Sequence, residues 1–213
     1  LLLATLHQNF GAYAKGLTES QVNEWKKVKG RYKEVTFVEP IEQLLYLAAK
    51  RLHGTNAKEV PQNAVLLLEL AKRMGFVSKD LSNDVATQLY PLDLFSAYAI
   101  TTAIQRYGQN ERSLFTFLAS KGSDSLSDFI EDGSRIYSLE NVYDYVYYNF
   151  YSYLKEANAD SMNWGVAQQS IERVEGQQWD DETQMLHAIS LVKAICLMNL
   201  FGAARSEEHT SEL

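Results

Sequence analysis

From residue 40 onward the chain places apolar side chains three or four positions apart, segment after segment, and little interrupts them. That spacing returns a side chain to the same face of an α-helix each turn, so each segment is predicted to bury one stripe and solvate the rest. Three prolines and eleven glycines in 213 residues favour long helices over a turn-rich β fold. Ile41, Leu44, Leu45, Ala48 and Leu52 form the first stripe, with Gly54 as a stop. Pro61 opens a second helix, whose buried face is predicted at Leu67, Leu70, Ala71 and Met74 and whose end is Gly75. Ser82 or Asn83 caps a short helix to about residue 89, and Pro91 opens another that runs to Tyr107 and Gly108. Shorter helices are predicted over 111–120 and 126–131, and longer ones over 139–156, 161–175 and 181–201. Ser138 caps the 139–156 helix, and Leu139, Val142, Val146, Phe150 and Tyr153 keep its period. The last helix is apolar on most sides and is expected inside a core.

The first 39 residues read differently. Residues 1–6 (LLLATL) are almost wholly apolar without alternation, the pattern of a strand covered on both faces in a parallel sheet. A second strand is expected over 34–38 (EVTFV), with helices over 8–15 and 19–29 between the two. Thr18 with Gln21 forms the capping-box pattern that starts the 19–29 helix. The predicted class is therefore mainly α: a short two-strand tail of a parallel α/β core, then helices. A boundary is read at residues 122–125 (GSDS).

Composition narrows the function. A formal charge of −7 argues against a broad nucleic-acid surface, which is built from Lys and Arg. No run reaches the ~18 uninterrupted apolar residues of a membrane span; residues 186–201 come nearest, interrupted by His187, Lys193 and Asn199. No basic region precedes Leu1, so no signal peptide is read. Cys196, the sole cysteine, lies in an apolar run and reads as a buried thiol in a reducing, cytoplasmic setting. Residues 205–213 (RSEEHTSEL) look like the translation of a common sequencing-adaptor oligonucleotide and are set aside as artefactual. Removing them takes away one Arg and three Glu, and the acidic balance survives.

No self-contained catalytic motif is present: no Gly-x-x-x-x-Gly-Lys-Ser/Thr loop, no His-Glu-x-x-His, no paired-cysteine metal motif, no Gly-x-Ser-x-Gly elbow. Three segments carry candidate chemistry. His7 and Gln8 fall at the carboxyl end of the first expected strand, where α/β sheets bind ligands; they either face a phosphate or cap the next helix. Arg31, before the second strand, either reaches a neighbouring subunit's γ-phosphate with its fixed charge or pairs on the surface with Glu24 or Glu34. Arg112 stands in the first turn of a helix, where a cation is disfavoured; its partner is a phosphate or the adjacent Glu111.

Taken in order, residues 1–52 (LLLATLHQNFGAYA, then EWKKVKGRYKEVTFVEPIEQLL) and residues 109–118 (QNERSLFTFL) resemble large bacterial AAA-like P-loop ATP-binding proteins of phage-defence and mobile-element contexts. The resemblance places residues 1–39 at the end of the ATPase core, 40–122 in a helical lid and 123–204 in a helical extension. It implies a sensor-one position at His7 with Gln8, an arginine finger at Arg31 and a sensor-two arginine at Arg112. The Walker A lysine and Walker B acids would precede Leu1, so ATP and magnesium would be bound mainly upstream and this chain would be inactive alone. Implied partners are ATP and a second subunit or another protein, with neither nucleic acid nor membrane indicated. The competing reading is a helical protein-interaction module without a nucleotide role. A third, a DNA-binding adaptor, is opposed by the acidic balance. Tyr137, Tyr143, Tyr145, Tyr147, Tyr148, Tyr151 and Tyr153 crowd one segment, and packing is favoured over base stacking because Glu140, Asp144 and Glu156 lie among them.

Overall fold

The computed structural model describes residues 17–33, 39–53, 63–108, 114–119, 126–131, 136–151, 154 and 160–202. Both expected strands, the 8–15 helix, Gly54, Pro61, the 122–125 boundary and the 205–213 tail lie outside them. Every regular element among the described residues is a helix. The chain divides into two compact units, Leu1–Glu39 and Pro40–Leu213.

In the first unit α1 spans Glu19–Lys29. The Gln21 side-chain oxygen accepts from the Thr18 backbone N–H at 3.0 Å, which satisfies a donor at the helix start. Lys26, Lys27 and Lys29 fill the last turn, where the helix dipole favours cations.

In the second unit the helices are α2 (Ile41–His53), α3 (Ala64–Met74), α4 (Asn83–Gln88), α5 (Leu94–Tyr107), α6 (Leu114–Ala119), α7 (Leu126–Glu131), α8 (Leu139–Asn149), α9 (Ser161–Glu175) and α10 (Glu182–Gly202). Helix α5 is the axis. All of its residues are buried except Gln105 and Arg106, and α2, α3, α6, α8 and α10 pack around it. Its polar side chains are satisfied locally: the Thr101 hydroxyl donates to the Ala97 carbonyl at 2.7 Å and that of Thr102 to Tyr98 at 2.9 Å. One buried cluster runs from Leu45 to Phe201, so the helices before and after the 122–125 segment share a core.

Helix starts follow their caps. Ser82 precedes α4 and Ser138 precedes α8, where the Asn141 side-chain oxygen accepts from the Ser138 N–H at 3.0 Å. Gly75 closes α3 at φ 77°, a left-handed conformation that disfavours a β-carbon. Helix α5 starts at Leu94 rather than at Pro91. Pro91 and Leu92 are held in an extended pairing: Leu92 bridges Tyr137 in parallel, and the Pro91 carbonyl accepts from the Tyr137 N–H at 2.8 Å. Asp93 then caps the helix.

Two stripes differ from expectation. In α3 the buried residues are Ala64, Leu68 and Ala71, while Leu70 and Met74 are exposed. The run Leu66-Leu67-Leu68 offers three choices of face, and the small side chains of Ala64 and Ala71 let α3 approach α4 and α5 closely on the Leu68 side. In α10 only Ile189, Cys196, Leu197, Leu200 and Phe201 are buried; Leu186, Leu191 and Ile195 are exposed, because α5, α8 and α9 occupy the other side of the helix. By length and composition alone α10 could cross a membrane, its best window reaching a mean hydropathy of 1.6.

Rotation of α3 has a measurable consequence. Leu68→Ala is expected to lower the unfolding free energy by roughly 2–5 kcal/mol, whereas Leu70→Ala should cost under about 1 kcal/mol. Urea denaturation of the two variants tests the assignment, and equal losses would contradict it.

Candidate functional site

The parallel pairing of Leu92 with Tyr137 starts α5 and α8 beside each other, and the two helices stay packed. Over their first turns lies a cleft of about 520 Å³, walled by Leu67 of α3 on one side and by His187, Ser190, Leu191 and Ala194 of α10 on the other. Asp93, Phe95, Ser138, Leu139 and Glu140 complete the lining.

Asp93, Ser138, Glu140 and Ser190 all hydrogen-bond within the fold, and His187 is exposed on the α10 wall. Asp93 Oδ1 accepts from the Ser96 N–H at 2.7 Å and Oδ2 from the Ser96 hydroxyl at 3.0 Å, so the side chain caps α5. Burial pushes the Asp93 carboxyl up from its ordinary value, and the Ser96 bonds oppose that shift. Glu140, in the first turn of α8, accepts from the Ser190 hydroxyl at 2.6 Å and ties α8 to α10. One turn further on, Lys193 pairs with Asp144 at 2.7 Å along the same seam. Among the described residues no buried side-chain nitrogen or oxygen lacks a partner. The cleft therefore offers apolar walls and two carboxylates near helix N-termini, not a set of donors aimed at a small polar ligand.

A second polar cluster closes the opposite end of α5. Arg106 donates to both Asp160 oxygens at 3.3 and 3.2 Å and to the Leu200 carbonyl at 3.0 Å. Tyr107 donates to Asp160 Oδ2 at 2.9 Å and accepts from Trp164 Nε1 at 3.3 Å. Burial pushes the Tyr107 hydroxyl well above the usual phenol range, so it stays protonated and donates. The cluster joins α5, the start of α9 and the end of α10, and every member is engaged by another. It is a structural clasp. Cys196 is buried as expected, and burial pushes its thiol up to about 12, away from reactive thiolate.

Of the residues singled out from sequence, Arg31 lies exposed just past α1, its N–H donating to the Val28 carbonyl at 3.0 Å. His7, Gln8 and Arg112 lie outside the described residues. The tyrosine-rich segment splits: Tyr137, Tyr143 and Tyr145 are buried, Tyr148 and Tyr151 are exposed, and Tyr153 is outside the described residues. Among the described residues no group of His, Cys, Asp or Glu could hold a metal ion. The cleft itself was not foreseen. Its caps have a local signature in Asp93-x-x-Ser96 and Ser138-x-x-Asn141, but nothing in the sequence pairs Glu140 with Ser190 fifty positions away. No family model, curated protein or solved structure matches this chain.

Two substitutions test these assignments. Asp160→Ala leaves Arg106 and Tyr107 without their shared acceptor and should cost about 2 kcal/mol in thermal or urea unfolding. Asp93 has a raised carboxyl, so its ionisation penalises the folded state as pH rises through its folded value. Asp93→Asn keeps a capping oxygen and cannot ionise. Its stability relative to the native chain should therefore rise as pH climbs above the ordinary aspartate range, while Asp93→Ala loses about 1 kcal/mol through the cap. A pH-independent Asn difference would refute the buried-carboxylate reading.

Proposed function

We propose that this chain is the C-terminal portion of an AAA-like ATP switch, carrying the end of the nucleotide-binding core and the helical region that responds to it. What supports the reading, beside the sequence resemblance, is where the chain divides. One unit ends at Glu39 and a helical unit begins at Pro40, the position at which such proteins pass from core to lid.

The cleft over α5 and α8 is a poor nucleotide site, because its fixed charges are carboxylates that repel phosphate. The resemblance assigns ATP and magnesium mainly to the Walker A and Walker B segments, whose motifs this sequence lacks. Arg31 stands exposed beyond a helix end, a position suited to an arginine that stabilises charge on a γ-phosphate from a neighbouring subunit. His7, Gln8 and Arg112 are the residues of this chain proposed to contact the nucleotide directly.

In the protein that includes the phosphate-binding loop, Arg31→Ala should reduce ATP turnover by on the order of 10³-fold if it serves as a finger. Arg112→Ala should also slow hydrolysis while the thermal transition is unchanged. Full turnover in both folded variants would leave a second reading, a helical protein-interaction module. That reading is favoured by the apolar surface left open on α3 and α10.

A further inference from the structure

The α3–α10 cleft continues outward into apolar surface on both sides. On α3, Leu67 lines the cleft and Leu70 and Leu66 extend the same arc, with Leu66 69% exposed. On α10, Ala194 and Leu191 line it, and Leu191 and Ile195 are 64% and 58% exposed. Phe95 and Leu139 form part of its floor. Isolated exposed leucines are ordinary on a protein surface; apolar arcs meeting across one trough are not.

We infer that this trough is a docking groove for a basic amphipathic helix of a partner protein. Apolar walls of this kind take side chains at i, i+3, i+4 and i+7 of a helix laid along them. Among the described residues no strand edge is available to recruit an extended peptide instead. Charge decides the polar side of the partner. The lining contains the carboxylates of Asp93 and Glu140 and one imidazole, His187, with no lysine or arginine. Asp93 is occupied by its cap, but Ser190 bonds only one oxygen of Glu140; a lysine or arginine on the flank of the docked stripe supplies that carboxylate with opposite charge, whereas an acidic partner opposes it. The same carboxylates work against an anionic lipid surface. The inference concerns the helical unit alone and does not depend on the nucleotide reading.

The test uses two synthetic helix-stabilised peptides that share a leucine stripe and differ only in lysine or glutamate on the polar face, titrated against the full chain by fluorescence anisotropy. The lysine peptide should bind at least tenfold more tightly than the glutamate peptide, with the preference shrinking as salt rises. Leu191→Asp should weaken lysine-peptide binding more than tenfold. Leu66→Asp, on the opposite rim, should do the same and serves if the first variant fails to fold. Val166→Asp, on an exposed face of α9 away from the lining, should change nothing. Glu140→Gln should narrow the lysine-to-glutamate preference. Equal binding of the two peptides, no binding, or binding that persists in both rim variants overturns the inference. So does finding that Leu191→Asp abolishes self-association or binding to anionic vesicles while leaving the lysine peptide bound.

Discussion

A helix buried along almost its whole circumference sets the terms for everything packed on it. Helix α5 presents apolar or small side chains in every direction, and its few hydroxyls donate to its own preceding turn. Such a helix cannot rest on one neighbour; it must be surrounded. The surrounding helices α2, α3, α6, α8 and α10 are accordingly amphipathic or only partly buried, and the common cluster from Leu45 to Phe201 forms around that axis.

The two ends of α5 are finished differently, and that difference gives the unit its polarity. At the carboxyl end Arg106, Tyr107, Asp160 and Trp164 form a closed set in which each polar atom answers another, with Phe201 packed beside Tyr107 and Arg106. A satisfied polar network in a poorly solvated place fixes geometry, because any other arrangement leaves a charge or hydroxyl unpaired. At the amino end the chain enters beside a second helix start, and the caps Asp93 and Ser138 lie in an open trough. One end locks; the other presents a surface.

Local structure was readable wherever one short segment held all the information. Thr18 with Gln21, Ser138 before α8 and Gly75 after α3 each satisfy or terminate a helix within a few residues, and α1, α7 and α9 lie where their spacing put them. Faces were less readable. Leucine at 66, 67, 68 and 70 permits several stripes with nearly equal apolar content, and α10 is apolar all round. The start of α5 was misplaced because a proline that suits a first helical turn was instead held by a partner 46 positions later. Arg31 is singled out in the sequence by its place before the second expected strand, whereas the cleft has no local signature, since its walls come from α3 and α10 and its floor from α5 and α8.

Sequence alone determined that this chain is mainly helical, where the helices with local caps begin, and that it carries an acidic balance with one buried thiol. Those properties depend on backbone hydrogen bonding within a few turns and on summed charge. Tertiary structure decided which leucines are covered, which carboxylates face an opening and which polar side chains clasp each other. These depend on what arrives from distant parts of the chain, and an apolar residue has the same local pattern whether a neighbour covers it or water does.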